Sequence, residues 1–329
     1  MKVAVIGGGG RVGCCAAYAL QLDGIVSEII LFDEAESLVQ GEALDLLHSS
    51  ALLHDQRIYV GDMAMVATSD VIIITAGASR RADEPEQELI ERNVSNFLSI
   101  ISDLKETGLR DDTILLVASN PVDILTYLAV QRGGFLPKQV VGLGTLLDTT
   151  RFCSLIADAV KAPPTQVKAL ILGEHGDTMV PIWSSATCNG VSLENHPDLS
   201  ASTRTKLFER TRRSEAELIR LKGGAGSAVE ASIETLAHAI LSDRGACWAV
   251  ASSIVTLVRA IVLDQRKMFP VSSFQSGAYG LSDVCISVPA MVGKGGILKH
   301  LELDLWPREL QGLKNSAKAI IEKIKRIKT

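Results

Sequence analysis

An apolar run at residues 2–6 stops at four consecutive glycines, Gly7-Gly8-Gly9-Gly10, and a helical pattern starts directly after them at 12–22. Strand, glycine turn and helix in that order make the first half of a βαβ unit. Glycines let the chain leave a strand, turn tightly and enter a helix with its first amide groups uncovered. Five more β-branched runs follow at 28–32, 57–60, 71–75, 113–118 and 140–143, with amphipathic stretches such as 93–107 between most of them. Strands that are apolar throughout, rather than alternating, belong to a parallel sheet covered on both faces. The expected class is α/β, with a doubly wound parallel sheet over 1–145.

After about residue 146 the pattern changes. Helical segments at 146–162, 202–222 and 226–264 surround short strands near 165–172, 269–274 and 283–288. A closing helix at 307–327 is started by Pro307, with Leu310, Leu313, Ala317, Ile320, Ile324 and Ile327 at helical spacing. This half reads as an α+β substrate domain, 146–329, packed on the first. Within it, 224–243 and 245–264 share 11 of 20 residues at an offset of 21, which favours a local duplication too short to make a solenoid.

Composition excludes several classes. The chain has 329 residues, 47% of them apolar, and a net charge of −5. Its one basic run, Lys323, Lys325, Arg326 and Lys328, reads as the solvated face of the last helix, so no nucleic-acid partner is expected. No stretch approaches the roughly 18 apolar residues of a membrane span, and residues 1–7 read as a buried strand rather than a signal peptide. The six cysteines (Cys14, Cys15, Cys153, Cys188, Cys247 and Cys285) form no C-x-x-C pair. They read as free thiols of a cytoplasmic protein, and no metal site is expected.

Two constellations carry chemistry. In the first, Gly7, Gly8, Gly10, Arg11, Val12 and Gly13 form a loop onto which a pyrophosphate can settle, and Asp33 ends the second strand 20 residues after Gly13. A carboxylate there accepts ribose hydroxyls and repels a 2′-phosphate. With Glu34 and Glu36 beside it, the expected cofactor is NAD and the domain a Rossmann domain. The second is His175, between glycines in Gly173-Glu174-His175-Gly176-Asp177, together with Asp148 and Arg151 in Leu147-Asp148-Thr149-Thr150-Arg151. Hydride transfer from a hydroxy acid needs a base for the hydroxyl proton, a carboxylate to hold that base and a cation for the acid group. His175, Asp148 and Arg151 supply one of each.

Segments 7–13 (GGGGRVG), 118–127 (ASNPVDILTY), 142–152 (GLGTLLDTTRF), 173–181 (GEHGDTMVP) and 283–289 (DVCISVP) resemble the lactate/malate dehydrogenase family, the malate type most closely. The resemblance implies that His175 accepts and donates the proton, Asp148 orients it and Arg151 clamps the substrate carboxylate. It further implies that Asn120 contacts nicotinamide and substrate beside a cis Asn120–Pro121 bond, that Asn93 belongs to the cofactor site, and that the chain is a homodimer or homotetramer. The implied reaction interconverts a 2-hydroxy and a 2-oxo acid. Malate and oxaloacetate of the tricarboxylic acid cycle come first. Lactate and pyruvate, an amine- or imine-bearing substrate, and a non-catalytic NAD-binding protein are the alternatives.

The family's lid carries a specificity residue and, six positions on, a carbonyl-polarising arginine. Ungapped alignment of 77–93 puts Arg80 at the first position, suited to a second substrate carboxylate, and Glu86 at the second. A carboxylate opposes what that arginine does. Either Arg80 or Arg81 takes over, or the substrate differs, or the chemistry is lost. Alignment through the second repeat copy makes Ala246 the small pocket residue and the first copy an insertion.

Overall fold

Residues 1–78, 86–221 and 248–327 are described by the structure, a computed structural model. Six strands run parallel in the order β6-β5-β4-β1-β2-β3: β1 (Lys2–Ile6), β2 (Glu28–Phe32), β3 (Arg57–Val60), β4 (Val71–Ile74), β5 (Ile114–Val117) and β6 (Val140–Gly142). All of β4 and β5 is buried, as expected of strands covered on both faces. Helices α1 (Arg11–Asp23), α2 (Glu36–Ser49), α3 (Met63–Ala67), α4 (Glu86–Glu106) and α5 (Val122–Gln131) supply the cover. The strand order reverses between β1 and β4, which opens a crevice at their carboxyl ends.

The second half contributes α6 (Leu146–Ala159), α7 (Ala201–Leu221), α8 (Trp248–Val262) and α9 (Pro307–Arg326). Its strands divide. β7 (Val167–Leu172), β8 (Val180–Cys188) and β9 (Val191–Ser192) form a small antiparallel sheet. β10 (Lys267–Ser276), β11 (Ser282–Gly293) and β12 (Gly296–His300) instead extend the large sheet to nine strands, β10 pairing antiparallel with β6 through Ser272 and Gly142. One sheet therefore runs through both halves, which the sequence did not disclose. α9 buries Leu313, Ala317 and Ile320 against Leu172, Ile182, Val284 and Ile286. Each leucine or isoleucine side chain so removed from water contributes about 1.5–3 kcal/mol.

Cys14, Cys15, Cys153, Cys188 and Cys285 form no disulfide among the described residues, and Cys247 lies outside them. Among the described residues no helix is long and apolar enough to cross a membrane, and no group of three or more His, Cys, Asp or Glu could hold a metal. The C-terminal basic run is not wholly a solvated face. Lys323 reaches inward to the buried Glu174, Nζ to Oε1 at 2.5 Å, because α9 lies beside the loop after β7.

Candidate active site

The glycine loop is built for close approach. A Cβ on Gly13 would stand 2.1 Å from the Gly7 carbonyl oxygen, so the first turn of α1 seats against the end of β1 only with glycine there. α1 has no side-chain cap at Gly10 and no acidic residue in its first turn. No side chain of the loop therefore competes with an anion at this helix start, which the helix dipole also favours. Asp33, just past β2, accepts the Gly9 and Ala35 N–H groups, each at 3.0 Å, and these bonds aim its carboxylate along the loop. A dinucleotide's pyrophosphate and ribose fit this donor set. Val12 faces the same cleft as Asn120 and His175, so the loop and the histidine share one space.

His175 is placed by two anchors. Gly173, at φ +96°, bridges to Ser287 at the end of β7, and a side chain there would collide with Ser316 of α9. The His175 N–H donates to Asp123 Oδ2 at 2.9 Å from the first turn of α5, directly after the cis Asn120–Pro121 bond. Asp123 is only 3% exposed. Burial pushes its carboxyl up to about 6, against the pull of the Ser272 hydroxyl and then the His175 amide.

α6 brings the remaining groups. Thr145 holds its start, the backbone N–H donating to Ser287 Oγ at 2.9 Å and Oγ1 donating to the Ile171 carbonyl at 2.5 Å. Asp148, 1% exposed, lies with Oδ2 2.5 Å from His175 Nδ1 and Oδ1 3.2 Å from Arg151 Nη1. With Nδ1–H donating to Asp148, His175 Nε2 faces the cleft. Burial presses the imidazole toward neutrality, but the charge and hydrogen bond of Asp148, then Glu215 and Asp123, outweigh it and push the pKa up to about 9. Burial likewise resists the Asp148 charge, and His175 and Arg151 overcome it, holding the carboxyl below its ordinary range. Arg151 Nε is buried without a partner among the described residues, so the guanidinium retains a donor for an incoming carboxylate.

The cleft in front of these groups holds about 330 Å³ and is lined by Leu89, Ile90, Asn120, Arg151, His175 and Glu215 among others. Asn93, expected at the cofactor, spends its amide within the protein. Its Oδ1 accepts from the Ala78 N–H at 2.8 Å and its Nδ2 donates to the Asn120 carbonyl at 3.1 Å, tying Ala78 to the Asn120 turn. Arg80, Ala246 and the first repeat copy lie outside the described residues, as does the Glu86 side chain. Residue 86 opens α4, one turn before the cleft-lining Leu89 and Ile90.

Two site residues carried no role in the sequence. Asp123 sits within the ASNPVDILTY segment, but its partner is 52 residues away. Glu215 of α7 lies in a charged stretch without a motif, yet its Oε2 is 3.6 Å from Arg151 Nη1 and 3.8 Å from His175 Nε2. Only the packing of α7 on α6 reveals it.

Residues 1–142 match the family model described as lactate/malate dehydrogenase, NAD binding domain, and 145–329 match lactate/malate dehydrogenase, alpha/beta C-terminal domain. An L-lactate dehydrogenase of Acetivibrio thermocellus is 38% identical over 98% of this chain and 96% of that protein. One of Priestia megaterium is 36% identical over 96% of this chain and 93% of its own length. The crystal structure of a minor L-lactate dehydrogenase from Enterococcus mundtii, in a ligands-bound form, has a TM-score of 0.89 and 30% identity, covering 99% of this chain and 98% of that one.

Proposed function

We propose, for a chain that belongs to the lactate/malate dehydrogenase family, that its reaction is the interconversion of lactate and pyruvate at His175. It is an NAD-dependent dehydrogenase of the type that interconverts 2-hydroxy and 2-oxo acids. The observation that carries the proposal is the Asp148–His175 pair beside Arg151, with Nε2 opening onto the cleft that reaches Val12.

Bound NAD supplies the hydride acceptor, or as NADH the donor, at C2 of the substrate. Arg151 holds the substrate carboxylate. In the oxidising direction His175 Nε2 takes the hydroxyl proton as the C–O bond becomes C=O, and the resulting imidazolium is held by Asp148. In the reducing direction the imidazolium N–H polarises the carbonyl and then gives up its proton. Asn120 lines both sides of the cleft, where nicotinamide and substrate would meet. The glycine loop and Asp33 hold the dinucleotide.

The relatives named as L-lactate dehydrogenases support lactate over malate. The malate expectation and its tricarboxylic acid cycle setting rested on the Gly10-Arg11-Val12-Gly13 spacing and on Arg80, the latter outside the described residues, and no relative reported above carries that name. With purified protein and NADH, pyruvate is expected to be reduced with a higher kcat/KM than oxaloacetate. Faster oxaloacetate turnover would return the malate reading, and no turnover of either would remove the proposal. Glu86→Arg is expected to raise kcat on pyruvate at least about ten-fold, because a guanidinium beside the developing oxyanion is worth several kcal/mol. An unchanged kcat would place carbonyl polarisation elsewhere.

A further inference from the structure

The groups facing the substrate are unusual in their charge. Glu215 Oε2 sits over both cations of the site, 3.6 Å from Arg151 Nη1 and 3.8 Å from His175 Nε2. These separations are ion pairs rather than hydrogen bonds, and the side chain is 46% exposed, so a substrate carboxylate can share or take the Arg151 donors without a buried contact being broken. Among the described residues the other cations on the cleft are matched, Arg212 to Glu209 at 2.8 Å and Lys323 to Glu174 at 2.5 Å, while Asp123 and Asp177 add further carboxylates to its lining.

With His175 protonated for reduction, Arg151 and His175 carry two positive charges and Asp148 and Glu215 two negative ones. The quartet is neutral before substrate arrives. A 2-oxo acid with a neutral side group brings it to −1, one with an acidic side group to −2, and one with a basic side group leaves it at zero. Without the Glu215 charge each sum rises by one, which favours acids with neutral or acidic side groups relative to basic ones. An unmatched charge in a partly desolvated cleft is penalised strongly, so one side chain here can rank substrates.

We propose that Glu215 is a specificity-determining residue that ranks 2-oxo acids by the charge of their side group, basic over neutral over acidic. The proposal rests on the 2-oxo acid reading above and narrows its substrate class. It selects against dicarboxylates and admits a cationic side group that a plain lactate dehydrogenase pocket has no reason to favour.

The test compares wild type, Glu215→Gln and Glu215→Ala in NADH-dependent reduction of 5-guanidino-2-oxopentanoate, 2-oxohexanoate and 2-oxoglutarate. Each substrate is judged by its own variant-to-wild-type ratio, so differences in size cancel. Both variants are expected to lower kcat/KM for the guanidino acid and to raise it for 2-oxoglutarate, the two ratios parting by about 10–100-fold, with 2-oxohexanoate between them. Glu217→Gln, an exposed carboxylate on the same helix, is expected to leave all three unchanged. Calorimetry on the NADH-loaded proteins with oxamate and oxalate gives an independent binding readout, Glu215→Gln gaining at least about ten-fold more on the dianion. Equal ratios for all three acids would overturn the role of Glu215 and leave the dehydrogenase reading standing. If no acid is turned over, that reading fails, and the oxamate–oxalate comparison still decides for or against Glu215.

Discussion

Asp148 does two things for His175 that separate experimentally. It fixes the ring through Nδ1, and its charge keeps the imidazole protonated up to about pH 9. Asp148→Asn keeps an acceptor but removes the charge. The high-pH limb of kcat/KM for pyruvate reduction is expected to move down by one unit or more, and the rate at pH 8.5 to fall about three-fold or more. Steady-state rates between pH 5 and 10 check this. A limb that stays near 9 would assign the raised pKa to another group. Asp123 behaves in the opposite sense. Its carboxyl is pushed above its ordinary 3.8 to about 6, so its contribution to stability is full below pH 3.8 and is lost as pH rises through 6. Asp123→Asn, which retains an acceptor for the His175 amide, is expected to gain about 2 kcal/mol relative to wild type between pH 4 and pH 8. Urea unfolding at the two pH values measures it, and a gain independent of pH would mean that the buried charge is compensated. Neither residue's energetics were legible beforehand. The sequence marks Asp148 by its spacing from Arg151, but the burial that opposes its charge, and the Asp123 contact, arise only when α5, α6 and the end of β7 converge.

At the scale of elements, the glycine loop is the part most fully readable from the chain. Its strand and helix are local, and its glycines answer a steric demand that can be stated in one distance. A Cβ at Gly13 would meet the Gly7 carbonyl at 2.1 Å. Gly13→Ala is therefore expected to push α1 off the sheet edge and weaken NADH binding by about ten-fold or more, at a stability cost of about 1–3 kcal/mol. Fluorescence titration with NADH and thermal unfolding report the two effects, and an unchanged affinity would show that the loop is not the cradle. The six parallel strands were equally legible, because strands buried on both faces are continuous apolar runs. β8, β9 and β12 were not. β8 carries Pro181 and a polar stretch, β9 has two residues, and β12 is a short edge strand, so none has the run or alternation that periodicity detects. Likewise α9 showed its apolar stripe in the sequence but not that Lys323, counted with a solvated face, turns inward to Glu174 beside the catalytic loop.

Taken whole, the molecule assembles its site from both halves across one nine-stranded sheet. The loop after β1 and the turn before α5 come from one side, and α6, α7, the end of β7 and α9 come from the other. The pairing of β10 with β6 makes the glycine loop and His175 parts of one framework rather than of two independently hinged bodies. Charge sets the working range of this framework. His175, raised from 6.5 to about 9, contributes stability that is full below pH 6.5 and lost as pH rises through 9. Asp148, held below its ordinary range, contributes stability that is present above that range and lost as pH falls through its lowered value. Between those limits the pair is ionised and primed for reduction. The most direct test is the pH dependence of kcat/KM for NADH-driven reduction of pyruvate by the wild-type protein. The site described above predicts measurable turnover with a high-pH limb at about 9, above which the rate falls ten-fold per unit. Absence of pyruvate turnover across the range, or a rate that stays level through pH 10, would contradict it.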